Sequence, residues 1–142
     1  MSWPTDADYV EAFQNVVTAF GDPALRSGVV ETDAMGMPKP RSGNFAIVFK
    51  VRVGPTDWAV RCFKRDVSDR AQRYRAVDSH LRTVSVPSLT HFAFVEQGVR
   101  IRGQWFAVLK MEWVAGELLG TWIERHLRSH KCCVIWPTNG YK

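Results

Sequence analysis

Apolar and polar residues follow two different periods along this chain. From Asp6 to Phe20 the apolar positions Tyr9, Val10, Phe13, Val16, Val17 and Phe20 recur at helical spacing. That pattern predicts a short helix or irregular arm packed outside the main domain, capped by Asp6 and stopped at Gly21-Asp22-Pro23. Val29-Val30 is rich in β-formers, and Gly36 to Pro40 then interrupts regular structure. From Asn44 to Val53 the period falls to two. Phe45, Ile47, Phe49 and Val51 share one face of a predicted strand, and Asn44, Ala46, Val48, Lys50 and Arg52 share the other. A turn over Gly54 to Asp57 leads into a further strand over Trp58 to Lys64.

Ser68 or Asp69 can cap a helix running to about Thr83, with Tyr74, Val77, Leu81 and Val84 as its apolar stripe. Val86-Pro87 ends it. Leu89 to Ile101 and Gln104 to Val114 read as two strands around a turn at Arg102-Gly103, with Gly98 as a bulge. Leu118 to Leu127 is amphipathic, and Leu118, Leu119, Trp122, Ile123 and Leu127 are expected to face inward. The predicted fold class is therefore α+β: a five-stranded antiparallel sheet with one packed helix. An N-terminal arm (1–27) precedes the domain (28–127), and a divergent tail (128–142) follows it.

Length and composition change this picture little. At 142 residues, with 46% hydrophobic and 23% charged residues, the chain is sized and composed for one folded domain rather than for disorder. The net charge of +5 adds more. Arg61, Lys64, Arg65, Arg70, Arg73, Arg75 and Arg82 cluster in one stretch, which favours phosphate-rich ligands, anionic partners or nucleic acid, or is simply a solvated face. No recognised nucleic-acid motif accompanies them, so nucleic acid is the least favoured partner. Three cysteines, no basic-then-apolar leader and no apolar run near the ~20 residues that span a bilayer point to a cytoplasmic protein without membrane insertion.

Three segments carry candidate chemistry. The first, Arg41-Ser-Gly43-Asn-Phe45-Ala46-Ile-Val48, places small residues at a hairpin tip where a backbone can approach phosphates without side chains in the way. The second, Trp58-Ala59-Val-Arg61, is a strand with one cation, and the third runs from Ala107 through Met111, Glu112 and Val114 to Gly116. In that order they resemble the small lobe of a protein kinase, most nearly the eukaryotic-like serine/threonine kinases of bacteria. The kinase phosphate loop has the form G-x-G-x-x-G-x-V, and here Arg41, Gly43, Ala46 and Val48 stand at those positions, with Phe45 before the last small one.

The resemblance implies an ATP site. Val48 and Ala59 would form its apolar ceiling and Met111 would be the gatekeeper. The backbone of Glu112 and Val114 would meet the adenine edge. Arg61 stands where the family carries a phosphate-binding Lys, and Asp78 where a helix Glu pairs with that Lys, although Asp78 is also placed to balance Arg75 or Arg82 as an ordinary surface residue. A guanidinium is a wider, planar fork than an ammonium, so Arg61 departs from the pattern in a way that bears on catalysis. Arg41 in place of the first glycine could contact phosphate or point to solvent.

The chain contains neither an H-R-D-x-x-x-x-N nor a D-F-G segment, and no Asp follows Asp78. Without Mg²⁺ ligands or a residue to take the hydroxyl proton, a bound nucleotide keeps its phosphate. The expectation is a truncated or degenerate kinase-like lobe that contacts ATP and is inactive alone. The alternative is a non-catalytic module that recruits a protein partner through an exposed lobe face. The tail from Arg128 to Lys142 does not continue the kinase pattern. His126, His130, Cys132 and Cys133 offer zinc-type donors, but adjacent cysteines lack the usual spacer, and a loosely packed tail is expected instead.

Overall fold

The structure is a computed structural model that describes residues 2–66 and 68–128. It is a mixed α+β fold with six strands and five helices among the described residues. Three helices open the chain: α1 (Asp6–Phe13), α2 (Val16–Ala19) and α3 (Pro23–Arg26). Two short strands follow, β1 (Val29–Val30) and β2 (Arg41–Ser42), and then two long ones, β3 (Ala46–Val53) and β4 (Thr56–Phe63). Helix α4 (Ser68–Thr83) leads to β5 (Phe92–Ile101), β6 (Gln104–Glu112) and α5 (Leu119–Leu127). The sheet is antiparallel in the order β1-β3-β4-β6-β5, and β2 also pairs with β3. The sheet thus has one strand more than the sequence pattern predicts. Two residues, Arg41 and Ser42, are too few to show an alternation.

The N-terminal segment is not an arm outside the domain. Tyr9, Phe13, Ala19, Phe20 and Leu25 are buried in one cluster with Ile47, Phe49, Val51, Val60, Val99 and Val108 of the sheet. Phe13 stacks on Phe49 with ring centroids 4.0 Å apart and meets Phe20 edge-on at 4.8 Å. Nor is the segment one helix. Asn15 leaves helical geometry (φ −129°, ψ 85°), so the chain turns twice and lays successive apolar residues on the same sheet face. The cap of α1 is Thr5 rather than Asp6. Its hydroxyl accepts from the Asp8 amide while the Asp8 carboxylate accepts from the Thr5 amide, a reciprocal capping box.

The hairpins form where turn residues predict them. Strands β3 and β4 are joined by Gly54-Pro55, with Gly54 at φ 57°, so β4 begins two residues before Trp58. Arg102 (φ 51°) and Gly103 (φ 78°) turn β5 into β6. The β5–β6 register breaks between Val95 and Val99. Gly98 lies in that break, and a Cβ there would sit 2.3 Å from a Val108 methyl, so a close approach to Val108 requires glycine.

The two later helices bury less than their stripes predict. Helix α4 has no buried residue. Tyr74 stacks on Phe94 at 5.8 Å and tilts against Phe63 at 5.9 Å, while Val77 and Val84 are exposed. Its first-turn amide at Ser68 donates to Asp66, so Ser68 is inside the helix and not its cap. Helix α5 departs further from expectation: Leu118 (80% exposed), Leu119 (70%), Trp122, Ile123 and Leu127 all face outward. A helical stripe requires a facing surface as well as the right spacing, and the core face of the sheet is already covered by α1–α3.

Candidate functional site

The face of the sheet opposite α1–α3 carries most of the candidate residues. Register fixes this directly: Val48 pairs with Arg61, which pairs with Leu109, and Lys50 pairs with Ala59, which pairs with Met111. Residues opposite one another, and those two apart on a strand, share a face. Val48, Lys50, Ala59, Arg61, Leu109 and Met111 therefore form one patch across three adjacent strands. Tyr74, Phe92 and Phe94 close the β5 side of this face around Phe63 and Leu109.

The glycine loop leads onto this patch. Arg41 pairs with Val48 and Ser42 with Ile47, so Gly43 to Ala46 form the tip of a tight hairpin in which the Gly43 amide donates to the Ala46 carbonyl (2.9 Å). The nearest atom to a Cβ placed on Gly43 would be 3.7 Å away, so nothing in the fold demands glycine at that position. Ala46 is buried at the start of β3. Phe45 does not join Ile47 and Phe49 in the core, because it sits at the tip rather than in the strand. It is 52% exposed, with the Arg65 guanidinium 5.4 Å from its ring. The loop is pinned from behind: the Lys64 ammonium donates to the Ser42 hydroxyl and pairs with Asp6, both at 2.6 Å, and Ser42 itself donates to Asp6. Lys64 is thus committed away from the patch. Its hydrogen bond, followed by that from Ser42, holds the Asp6 carboxyl below its ordinary range.

Arg61 lies at the centre of the patch on β4. It is half-buried, its Nε is buried without a hydrogen-bond partner, and its guanidinium carbon is 6.0 Å from the Phe63 ring. No carboxylate pairs with it among the described residues. Asp78 does not serve as its counter-charge: on α4 it accepts from Arg82 at 3.0 and 3.2 Å, an i,i+4 pair. A groove of about 550 Å³ between the end of α4 and the start of β5 includes Asp78 but not Arg61.

At the other end of β6 the chain leaves the sheet. Glu112 is exposed and donates its amide to the His91 carbonyl (3.0 Å). Trp113 extends the pairing with β4 through its amide to the Asp57 carbonyl (2.8 Å). Val114 is 69% exposed, and its backbone makes no hydrogen bond to the described residues. Trp113, Lys50, Asp57 and Arg41 were not picked out by spacing as partners. The Arg41 guanidinium lies 4.5 Å and the Lys50 ammonium 5.2 Å from the Trp113 ring. Asp57 takes a two-pronged contact from Arg52 (2.7 and 3.2 Å) and an ion pair from Lys50 at 3.3 Å. The Arg52 hydrogen bond, reinforced by Lys50 against partial desolvation, lowers its carboxyl to about 2. Alternation along β3 places Lys50 on this face, whereas Asp57 falls in the predicted turn and joins the face only because β4 begins earlier, at Thr56.

The patch therefore offers a small-residue loop, an apolar floor at Val48 and Ala59, one unpaired cation and an open main-chain edge. These groups fit the phosphates and base of a purine nucleotide. No group of three His, Cys, Asp or Glu side chains able to hold a metal ion occurs among the described residues, and the carboxylates of Glu31, Asp57 and Asp78 are each engaged by a cation. Of the proposed zinc donors only His126 is described, and it bonds the Trp122 carbonyl at 2.7 Å; His130, Cys132 and Cys133 lie outside the described residues. No helix among them is long and apolar enough to cross a membrane. Compared with known protein families, curated proteins and solved structures, the chain has no match.

Proposed function

We propose that this chain is a kinase-like nucleotide-binding lobe: it holds ATP or a related purine nucleotide on the Val48–Ala59–Arg61 face and does not itself transfer the phosphate. The reading rests on Arg61. A buried guanidinium nitrogen with no partner costs of order 1–3 kcal/mol, and a strand interior keeps such a group only where something compensates it. A phosphate oxygen is the natural compensation, because the planar N–H fork matches it in charge and geometry. Arg61 stands between the strand leaving the glycine loop and the strand ending at Glu112, so a phosphate on Arg61 would put the attached base against Ala59 and Val48. The uncommitted Val114 backbone would be within the edge that meets it. No residue of the sequence supplies the acceptor of a hydroxyl proton in the kinase manner, which limits the role to binding.

Replacing Arg61 by Met tests this. ATP binding measured by calorimetry should fall about tenfold or more, the equivalent of one hydrogen bond to a charged group, while thermal stability holds or rises because an unsatisfied polar atom has been removed. Absence of saturable binding to the native chain at millimolar ATP, with or without Mg²⁺, would overturn the proposal.

A second reading is favoured by one observation, the outward-facing stripe of α5. Contiguous exposed apolar residues of this kind mark association surfaces, and a protein partner held by α5 would make the chain an interaction module instead. Concentration-dependent sedimentation without nucleotide binding would support it.

A further inference from the structure

The Arg41 guanidinium and the Trp113 indole meet in a place that neither strand pattern nor loop chemistry requires. Arg41 is on β2 and Trp113 follows β6, and β3 and β4 run between them. Three inter-strand steps of about 4.8 Å separate their backbones by about 14 Å. Arg41 shares a row with Val48, and Trp113 shares one with Asp57 through its amide bond, so a line between them crosses β3 and β4 at Lys50 and Ala59. Both side chains stand on the Arg61 face, and they close the gap by reaching toward each other until the guanidinium carbon is 4.5 Å from the ring centroid. Glu31 pairs with the same guanidinium at 3.0 Å, and Lys50 adds a second cation to the indole at 5.2 Å.

We infer that Arg41 and Trp113 form a strap across the base-binding half of the nucleotide site, and that a nucleotide gains access only when Arg41 releases the indole. The inference rests on the nucleotide reading of this face. A purine lying on Ala59 and Val48 would occupy the space the arch crosses, so the two states compete. The strap lowers apparent affinity by the fraction of molecules in which it is closed. The released Arg41 sits at the loop and Trp113 at the open edge, so opening uncovers the indole face for the base.

The test is the Arg41→Ala variant beside the native chain, with ATP and Mg²⁺ as the probe. Arg41 is exposed and its removal opens no cavity. ATP should bind about three- to tenfold more tightly to the variant, the range expected on breaking a partly exposed cation–π contact. Without nucleotide, the Trp113 share of the emission should become more accessible to acrylamide. That share is isolated from the other five tryptophans by subtracting a Trp113→Phe partner for each protein. Unchanged or weaker ATP binding by a variant that still binds, or unchanged quenching, overturns the strap and leaves the nucleotide reading standing. Loss of saturable ATP binding in both proteins overturns both.

Discussion

The Tyr9 phenol donates a 2.6 Å hydrogen bond to the backbone carbonyl of Phe63, joining helix α1 to the last residue of β4. Tyr9 is fully buried, and desolvation drives its ionisation well above the usual phenol range, so it remains a donor at any ordinary pH. The strand that carries Arg61 is therefore anchored from the face opposite the proposed site. Tyr9→Phe keeps the ring and leaves the Phe63 carbonyl unpartnered. Urea denaturation should show a loss of about 1–3 kcal/mol with an unchanged slope.

Acid should destabilise the fold through a set of depressed carboxyls. Asp57 has a folded value of about 2 against an ordinary 3.8, and Asp6, Asp8 and Asp22 are also lowered. A carboxyl depressed on folding contributes stability above its unfolded pKa and loses it as pH falls through the folded one. Thermal midpoints should therefore hold near neutrality and decline from about pH 4 toward pH 2. Asp57→Asn should flatten part of that decline, and an unaltered profile would remove Asp57 from the account.

Two glycines should differ in how far the fold depends on them. Gly98→Ala drives a methyl into Val108 and should cost about 1–3 kcal/mol by over-packing. Gly43→Ala meets only the Ala46 carbonyl at 3.7 Å and should leave stability within about 0.5 kcal/mol. Any nucleotide affinity that Gly43→Ala loses is then a property of the site and not of the fold, a comparison that parallel melting and titration curves provide.

Helix α5 supplies a prediction about burial. Leu119→Glu together with Trp122→Glu should shift stability by no more than about 0.5 kcal/mol per site, because both side chains face solvent. A large loss would mean that the stripe is covered in solution. If self-association is seen in sedimentation of the native chain, the same double variant should abolish it.

Much of the sheet was legible from the chain alone. Ile47, Phe49 and Val51 alternate with Val48 and Lys50, and Gly54 and Gly103 supply the turns that make neighbours of consecutive strands. These are local relations set by side-chain period and backbone freedom. Phe45 broke the alternation because β3 begins one residue after it, leaving Phe45 in the hairpin tip. The Thr5 cap was also present in the sequence as Thr-x-x-Asp, and reading Asp6 instead placed the helix start one residue late.

The candidate site was legible in its pieces but not in its closure. Val48, Ala59, Arg61 and Met111 fall on one face because the predicted strands pair in register, while Asp78 pairs with Arg82 four residues along its own helix, the surface alternative its position in the sequence already offered. Arg41 and Trp113 meet only because β2 and β6 lie on opposite sides of β3 and β4, a relation between distant segments that spacing does not encode.

The amino-acid order determined which residues point together along each strand and helix, since that follows from the fixed geometry of a strand or a helical turn. Tertiary structure decided which of those faces is covered. Tyr9, Phe13 and Phe20 filled the core face of the sheet, and the equally apolar stripe of α5 stayed in solvent. Burial needs a complementary surface within reach, and only the assembled sheet fixes where that surface is and which segment occupies it.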